Sequence, residues 1–210
     1  QEHNLYTLLK GESTLDQCIV KSKYYDLIPG SLLLAYADTE FNQKNREYLL
    51  QERIKNANYD VILIDSPPAL GLMNIMSLTV SSKIIIPTEC SYLAMVGLKQ
   101  IYNTIQSIHK HSNKDLCVFG ILLIKYNGRA NINIAVSNAL EKLSVQMNTK
   151  VFACKIRETI KVKEAQSQQE PIIDWDPSCT AVQDYLDFVK KLTSILPLYK
   201  GEQPYDVRKN

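Results

Sequence analysis

The sequence predicts an α/β fold, a doubly wound and mainly parallel sheet with helices on both faces. Three observations lead there. Short runs of β-branched and aliphatic residues, such as 61–64 and 84–86, are apolar at every position, as strands are when helices cover both sides. Longer stretches repeat apolar residues every three or four positions, as Ala94, Leu98, Ile101, Ile105 and Ile108 do, which marks one buried helix face. The two patterns alternate along the chain, and parallel strands need such helical crossovers between them.

Taken in order, residues 3–10 read as a short helix closed by Gly11, a residue suited to the left-handed C′ position. Residues 24–28 read as a strand stopped by Pro29 and Gly30, with Ser31 as a helix cap. A long polar helix is expected over about 40–56, with Phe41, Tyr48 and Ile54 facing inward, and a central strand at 59–64. Residues 71–81 then read as a helix and 83–87 as a strand. The helix built on Ala94 and Ile108 follows, then a strand at 117–124 and a helix marked by Val136, Leu140, Leu143 and Met147. A strand at 151–156 and a short helix at 159–168 come next. The last helix carries Val182, Leu186, Val189, Leu192 and Leu196 and is stopped by Pro197. The strands at 24–28, 59–64, 83–87, 117–124 and 151–156 are expected to be parallel. With no internal repeat and no linker, residues 1–197 read as a single domain and 198–210 as a polar, mobile tail.

Composition excludes several classes. A chain of 210 residues with a net charge of +2 is long enough for one α/β domain with a full core. No apolar run reaches membrane-spanning length, and no signal peptide opens the sequence. Cys18, Cys90, Cys117, Cys154 and Cys179 lack C-x-x-C spacing, so they read as reduced thiols of a cytoplasmic protein rather than disulfides or metal ligands. His3, His109 and His111 have no partner pattern and read as surface residues.

The chemistry gathers after the central run. Residues 61–64 end on Asp65, and Ser66, Pro67 and Pro68 follow. In open parallel sheets ligands bind at the carboxyl ends of strands, and the two prolines force a rigid extended exit. Four hydrophobic residues followed by an aspartate form a Walker B pattern, in which the acid orients a magnesium-bound water. A plain strand-end cap is the other reading of Asp65. Asp60 reads as a surface residue.

The ordered set of pieces resembles the ParA/Soj family of partition ATPases, which are deviant Walker A P-loop NTPases. The pieces are Asp26-Leu27-Ile28-Pro29, the stretch from Tyr59 to Pro68, Ile85-Ile86-Pro87-Thr88-Glu89 and Val96-Gly97-Leu98. Glu164-Ala165-Gln166-Ser167, Pro171-Ile172, Asp176-Pro177-Ser178 and Asp184-Tyr185-Leu186 continue the match to about residue 196. The resemblance implies a P-loop NTPase-like sheet, ATP and magnesium as cofactors, and an ATP-dependent homodimer. It also implies DNA binding without sequence preference, a ParB-type centromere-binding partner, and a cytoplasmic, nucleoid-associated protein away from the membrane. The family's opening βαβ unit, with its Gly-rich lysine loop, has no counterpart here, and no G-x-x-x-x-G-K-[ST] occurs among the seven glycines. The expectation is therefore an N-terminally truncated form that lacks the Walker A lysines, binds ATP poorly and is inactive alone. The alternative is a non-enzymatic, DNA-associated regulatory module on the same fold.

The resemblance also assigns residues. Asp65 is the Walker B acid, and Ser66, Pro67 and Pro68 form the switch segment, which doubles as a rigid turn. Glu89, Tyr92 and Met95 fall in a dimer-facing segment that reads equally well as a core-packed helix start. Asn127 falls in the nucleoside pocket, where a turn role is the other reading. Ile156, Arg157 and Glu158 stand where the family carries Ile-Pro-Arg, so base contacts there depart from the pattern. No residue is a direct metal ligand.

Independently of the resemblance, residues 99–163 hold eleven basic and three acidic residues, a net +8 in a chain whose total is +2. Such asymmetry suits a polyanion, with Arg129, Lys155, Arg157, Lys161 and Lys163 as candidate DNA contacts. A solvated lysine-rich face is the other reading.

Overall fold

The computed structural model describes residues 2–67 and 70–195. They fall into two compact units, one of Gln1–Ser82 with Asn103–Cys117 and one of Lys83–Tyr102 with Val118–Asn210. Pro68 and the residues from 196 onward, including the expected tail, lie outside the described residues.

The first unit opens with helix α1, Leu5–Lys10. Asn4 caps it: its Oδ1 accepts the N–H groups of Tyr6 at 2.9 Å and Thr7 at 3.3 Å, while Thr7 Oγ1 accepts the Asn4 N–H at 3.1 Å. Each bond satisfies a donor that the first helical turn leaves unpaired. Gly11 closes the helix at φ +80°, as its sequence position suggests. The short helix α2, Leu15–Cys18, follows.

Residues 24–28 are not part of a parallel sheet. Only Asp26–Leu27 (β2) is extended, and it pairs antiparallel with Val20–Lys21 (β1). Polar pairing ties the hairpin together: Asp26 Oδ2 takes Lys21 Nζ at 2.5 Å and the Tyr59 hydroxyl at 2.5 Å. Ser31 caps a 3-10 turn over Leu32–Tyr36 through the Leu33 N–H.

The long helix expected over 40–56 is broken. It appears as α3 (Ala37–Glu40), a 3-10 turn at Arg46–Tyr48 and α4 (Leu49–Ile54). The break falls at Asn45, whose φ of 61° lies in the left-handed region that asparagine tolerates. Arg46 fixes the gap by donating to the carbonyls of Asp38 at 3.0 Å and Phe41 at 2.9 Å. Helix α5, Leu72–Val80, takes its N-terminal hydrogen bond from outside: the Leu72 N–H donates to Asp38 Oδ1 at 3.0 Å. The core of this unit joins Tyr6, Leu9, Ala37, Phe41, Leu50, Leu72 and Met76.

The run at 61–64 is a correction to the sequence reading, because it forms no strand. Ile64 packs on the core, but Val61 and Ile62 are each 48% exposed and Leu63 is 88% exposed. An apolar run becomes a central strand only with a hydrogen-bonded neighbour, and among the described residues no ladder flanks it.

In the second unit β3 (Lys83–Glu89), β4 (Cys117–Tyr126) and β5 (Val151–Arg157) form a sheet in the order β3-β4-β5. Strands β4 and β5 are parallel, with Ile121 opposite Val151, Leu123 opposite Lys155 and Tyr126 opposite Arg157. Helix α6, Tyr92–His111, follows β3, and α7, Asn131–Gln146, links β4 to β5. Helices α8 (Ile160–Ser167), α9 (Ile172–Trp175) and α10 (Thr180–Ile195) complete the unit. Ala181, Val182 and Phe188 of α10 bury against Leu122, Phe152 and Ile156 of the sheet. The architecture is the doubly wound α/β type. All five cysteines are free thiols, and no helix among the described residues is long and apolar enough to cross a membrane.

Candidate functional site

The carboxyl edge of β4 and β5 gathers Asn127, Arg129, Lys155, Ile156, Arg157 and Glu158 of the residues singled out above. Strand β4 ends irregularly. The pairing shifts between Leu123 and Tyr126, and Lys125 takes φ 49°, a conformation that L side chains rarely adopt and that tends to cluster at functional sites. The turn that follows is built on Asn127. Its Oδ1 accepts the Arg129 N–H at 3.1 Å, and its backbone carbonyl accepts Asn133 Nδ2 at 3.0 Å and the Ala130 N–H at 3.2 Å. Asn127 thus shapes a turn, and that turn stands beside the end of β5, where the Glu158 N–H donates to the Tyr126 carbonyl at 3.2 Å.

Of the other residues assigned to this pocket, Ile156 is buried in the core at 4% exposure and offers no polar group to a ligand. Glu158 is exposed. Arg157 is held by Asp184 of α10. Its backbone N–H donates to Asp184 Oδ2 at 2.9 Å, its Nε to the same oxygen at 2.9 Å and its Nη2 to Oδ1 at 2.8 Å. Nη2 also reaches the Thr180 carbonyl at 3.5 Å. Burial alone pushes the Asp184 carboxyl up, but the hydrogen bonds from Arg157 outweigh it and hold the acid below the usual aspartate range. The same hydrogen bonds raise the Arg157 guanidinium. Asp184 stands in the sequence as part of the Asp184-Tyr185-Leu186 block of the resemblance, but nothing in the sequence pairs it with Arg157, 27 positions away.

The candidate DNA contacts divide. Lys155 lies 4.3 Å from the centroid of the Tyr126 ring and donates to the buried Ser137 hydroxyl at 3.2 Å. Lys161 pairs with Glu164 at 2.9 Å, and Arg157 is committed to Asp184. Arg129 and Lys163 are exposed. Part of the net positive charge of residues 99–163 is therefore neutralised within the fold, by Glu164 and Asp184.

Glu89, at the end of β3, pairs with Lys125, and that contact raises the lysine's pKa. Tyr92 is 71% exposed in the first turn of α6, where Leu93 is also exposed, while Met95 is half-buried. Cys90 is half-buried beside Lys155; burial pushes its thiol up and the lysine partly opposes it.

Asp65 and Ser66 belong to the first unit, on the exposed segment after Ile64. Pro67 is tied to α5 through its carbonyl, which accepts Asn74 Nδ2 at 3.1 Å. A single carboxylate of this kind suits the orientation of a metal-bound water but does not hold an ion alone. Among the described residues no group of three His, Cys, Asp or Glu side chains could hold a metal ion.

A family model described as an AAA domain matches residues 1–118. The sporulation initiation inhibitor protein Soj of Bacillus subtilis is 37% identical over 172 residues, which cover 80% of this chain and 67% of that protein. The chromosome partitioning protein ParA of Myxococcus xanthus is 32% identical over 173 residues, covering 81% of this chain and 60% of that protein. The chain thus spans about three-fifths to two-thirds of the length of these two relatives. Among solved structures, a putative plasmid partition protein of Borrelia burgdorferi bound to AMPPNP matches with a TM-score of 0.78 at 18% identity, over 93% of this chain and 75% of that one. The cobyrinic acid a,c-diamide synthase of Mycobacterium smegmatis with bound ADP and magnesium matches with a TM-score of 0.74 at 24% identity, over 90% and 70%.

Proposed function

Because the chain belongs to the ParA/Soj family of partition ATPases, we propose that it serves DNA segregation by supplying the base-side wall of a nucleotide site and the acid that orients a magnesium-bound water. The observation that carries this reading is the juxtaposition of the Asn127 turn with Arg157 and Glu158 at the carboxyl edge of β4 and β5, where doubly wound sheets receive their ligands. ATP and magnesium are the cofactors. Asp65 acts on the magnesium-bound water, and Ser66, Pro67 and Pro68 respond to the terminal phosphate. Glu89, Tyr92 and Met95 contribute to a homodimer face. A ParB-type centromere-binding protein and non-specific DNA are the partners, in the cytoplasm at the nucleoid.

The 210 residues contain no G-x-x-x-x-G-K-[ST] loop, whose backbone donors and lysine supply most of the phosphate grip. The chain 1–210 therefore binds ATP weakly and hydrolyses it negligibly. The test is an ATPase assay of purified 1–210 with magnesium, beside Asp65→Ala. Magnesium-dependent turnover that Asp65→Ala abolishes would refute the inactivity while supporting the role of Asp65.

The net +8 of residues 99–163 favours a second reading, a DNA-associated regulatory module on the same fold. Arg129 and Lys163 are then the contacts to watch. Binding to two unrelated duplexes should be equal and should weaken steeply with salt, because phosphate contacts release counterions. Changing both residues to glutamate should lower the slope of log affinity against log salt by roughly two units. A clear preference for one duplex, or an unchanged slope, would reduce the basic segment to a solvated face.

A further inference from the structure

We propose that Asp184 is a positioning residue, which latches the turn after β5 to α10 so that the base-side wall beside Asn127 stands preformed. The proposal rests on the nucleoside reading above and adds a residue to it. Four hydrogen bonds converge on one carboxylate. Three come from the Arg157 guanidinium, at 2.8, 2.9 and 3.2 Å, and the fourth from the Arg157 backbone N–H at 2.9 Å.

The backbone bond decides the interpretation. A surface ion pair joins two flexible side chains and leaves the backbone free. Here the carboxylate grips the main chain at the last residue of β5, one position before Glu158, whose N–H is fixed on the Tyr126 carbonyl. The strand end is thereby held on two sides, by α10 and by the end of β4. The Asp184 side chain is 14% exposed while that of Arg157 is 52% exposed, so the anchor is the more buried partner and the arginine closes over it. Helix α10 is itself fixed by Ala181, Val182 and Phe188 in the core, so the latch joins the turn to a rigid element. A wall fixed before the ligand arrives spares the cost of ordering it on binding.

The experiment titrates adenosine, which carries no phosphate, into the isotope-labelled 210-residue chain and reads the Asn127 and Thr159 amide signals. Amide hydrogen exchange is measured over 157–159 and, as a reference, over 121–123 in β4. Asp184→Asn is expected to weaken adenosine about tenfold and to speed exchange at 157–159 while 121–123 holds. Arg157→Lys keeps the carboxylate on the backbone N–H and should have a smaller effect on both. Asp184→Glu should restore part of the loss. A purely structural role would speed exchange throughout. Unchanged exchange at 157–159 in Asp184→Asn would show that no latch exists. Faster exchange with unchanged adenosine affinity would show a latch that positions nothing. Either result overturns the proposal alone. Absence of adenosine-induced shifts in the unaltered chain would instead overturn the nucleoside reading on which it rests.

Discussion

Gly120→Ala should destabilise the second unit by about 2 kcal/mol, within the range for overpacking a filled core. Gly120 lies in β4, and a Cβ built there would stand 2.5 Å from Phe152 Cε2, 2.6 Å from Cζ and 3.0 Å from Cδ2. Ordinary carbon contacts need roughly 3.5–4.0 Å, so the ring must retreat by about 1 Å. It has little room, because Phe152 is 7% exposed and meets the Phe188 ring edge-on, with centroids 5.0 Å apart, and the Phe119 ring at 5.9 Å. Each aromatic pair contributes about 0.5–1.5 kcal/mol beyond its buried area. Against this, replacing a strand glycine by alanine gains only about 0.5–1 kcal/mol of backbone entropy, so the clash wins. For a chain of this size the melting temperature should fall by roughly 4–8 °C, measured by circular dichroism or calorimetry. The cause is isolated by combining it with Phe152→Leu. If the ring is the obstacle, the double variant should be little worse than Phe152→Leu alone, leaving a coupling of about 1–2 kcal/mol between the sites. A neutral Gly120→Ala, or strictly additive losses, would refute the reasoning.

Asp184→Asn should cost about 1–2 kcal/mol at neutral pH, because it weakens charge-assisted hydrogen bonds to a half-exposed arginine. The Asp184 pKa is lowered in the folded chain, so its contribution is present above the unfolded aspartate value of about 3.9 and is lost as pH falls through the folded value. Denaturant titrations should show the difference between the unaltered chain and the Asp184→Asn variant closing below about pH 4; a gap that persists undiminished well below that pH would contradict the assignment. Asn4→Ala removes both cap bonds to α1 and should cost about 1 kcal/mol, visible as faster hydrogen exchange over Tyr6 and Thr7. Protection equal to that of the unaltered chain would remove the cap from the account.

The long periodic elements were legible because one property decides them. Helix α6 follows from the spacing of Leu98, Ile105 and Ile108, and all three are buried; β3, β4 and β5 follow from apolar runs with covered faces. What was not legible depends on partners that sequence does not name. The 61–64 run has strand composition, but a strand is a property of two segments, and no ladder flanks this one among the described residues. The helix expected over 40–56 fails at Asn45, where one left-handed residue and the reach of Arg46 to the Asp38 and Phe41 carbonyls outweigh a weak helical pattern. In the candidate site, the Asn127 turn and the end of β5 stand side by side, with the Glu158 N–H on the Tyr126 carbonyl. The Asp184 contact arises only when α10 packs on the end of β5, and the Glu89–Lys125 pair only when the ends of β3 and β4 meet.

These pairings also reorder the basic segment. A cation counts toward a DNA footprint only if its charge is free to meet a phosphate. For Arg157 to do so it must leave Asp184, uncovering a carboxylate that is 14% exposed and still bound to the Arg157 backbone. Leaving a charged, partly buried group short of its partner costs on the order of 1–3 kcal/mol, comparable to what an exposed phosphate contact returns. Lys161 has a partner of ordinary surface strength in Glu164, three positions along the same helix, and such exposed pairs are weak enough for a phosphate to compete. Lys155 would have to give up both the Tyr126 ring and the Ser137 hydroxyl. If the chain binds duplex DNA as proposed, the expected order of contribution is Arg129 and Lys163 first, Lys161 next, and Lys155 and Arg157 last. Arg157→Gln should consequently change DNA affinity less than Arg129→Gln, although it perturbs the fold more, and the reverse order would mean that the latch opens on DNA.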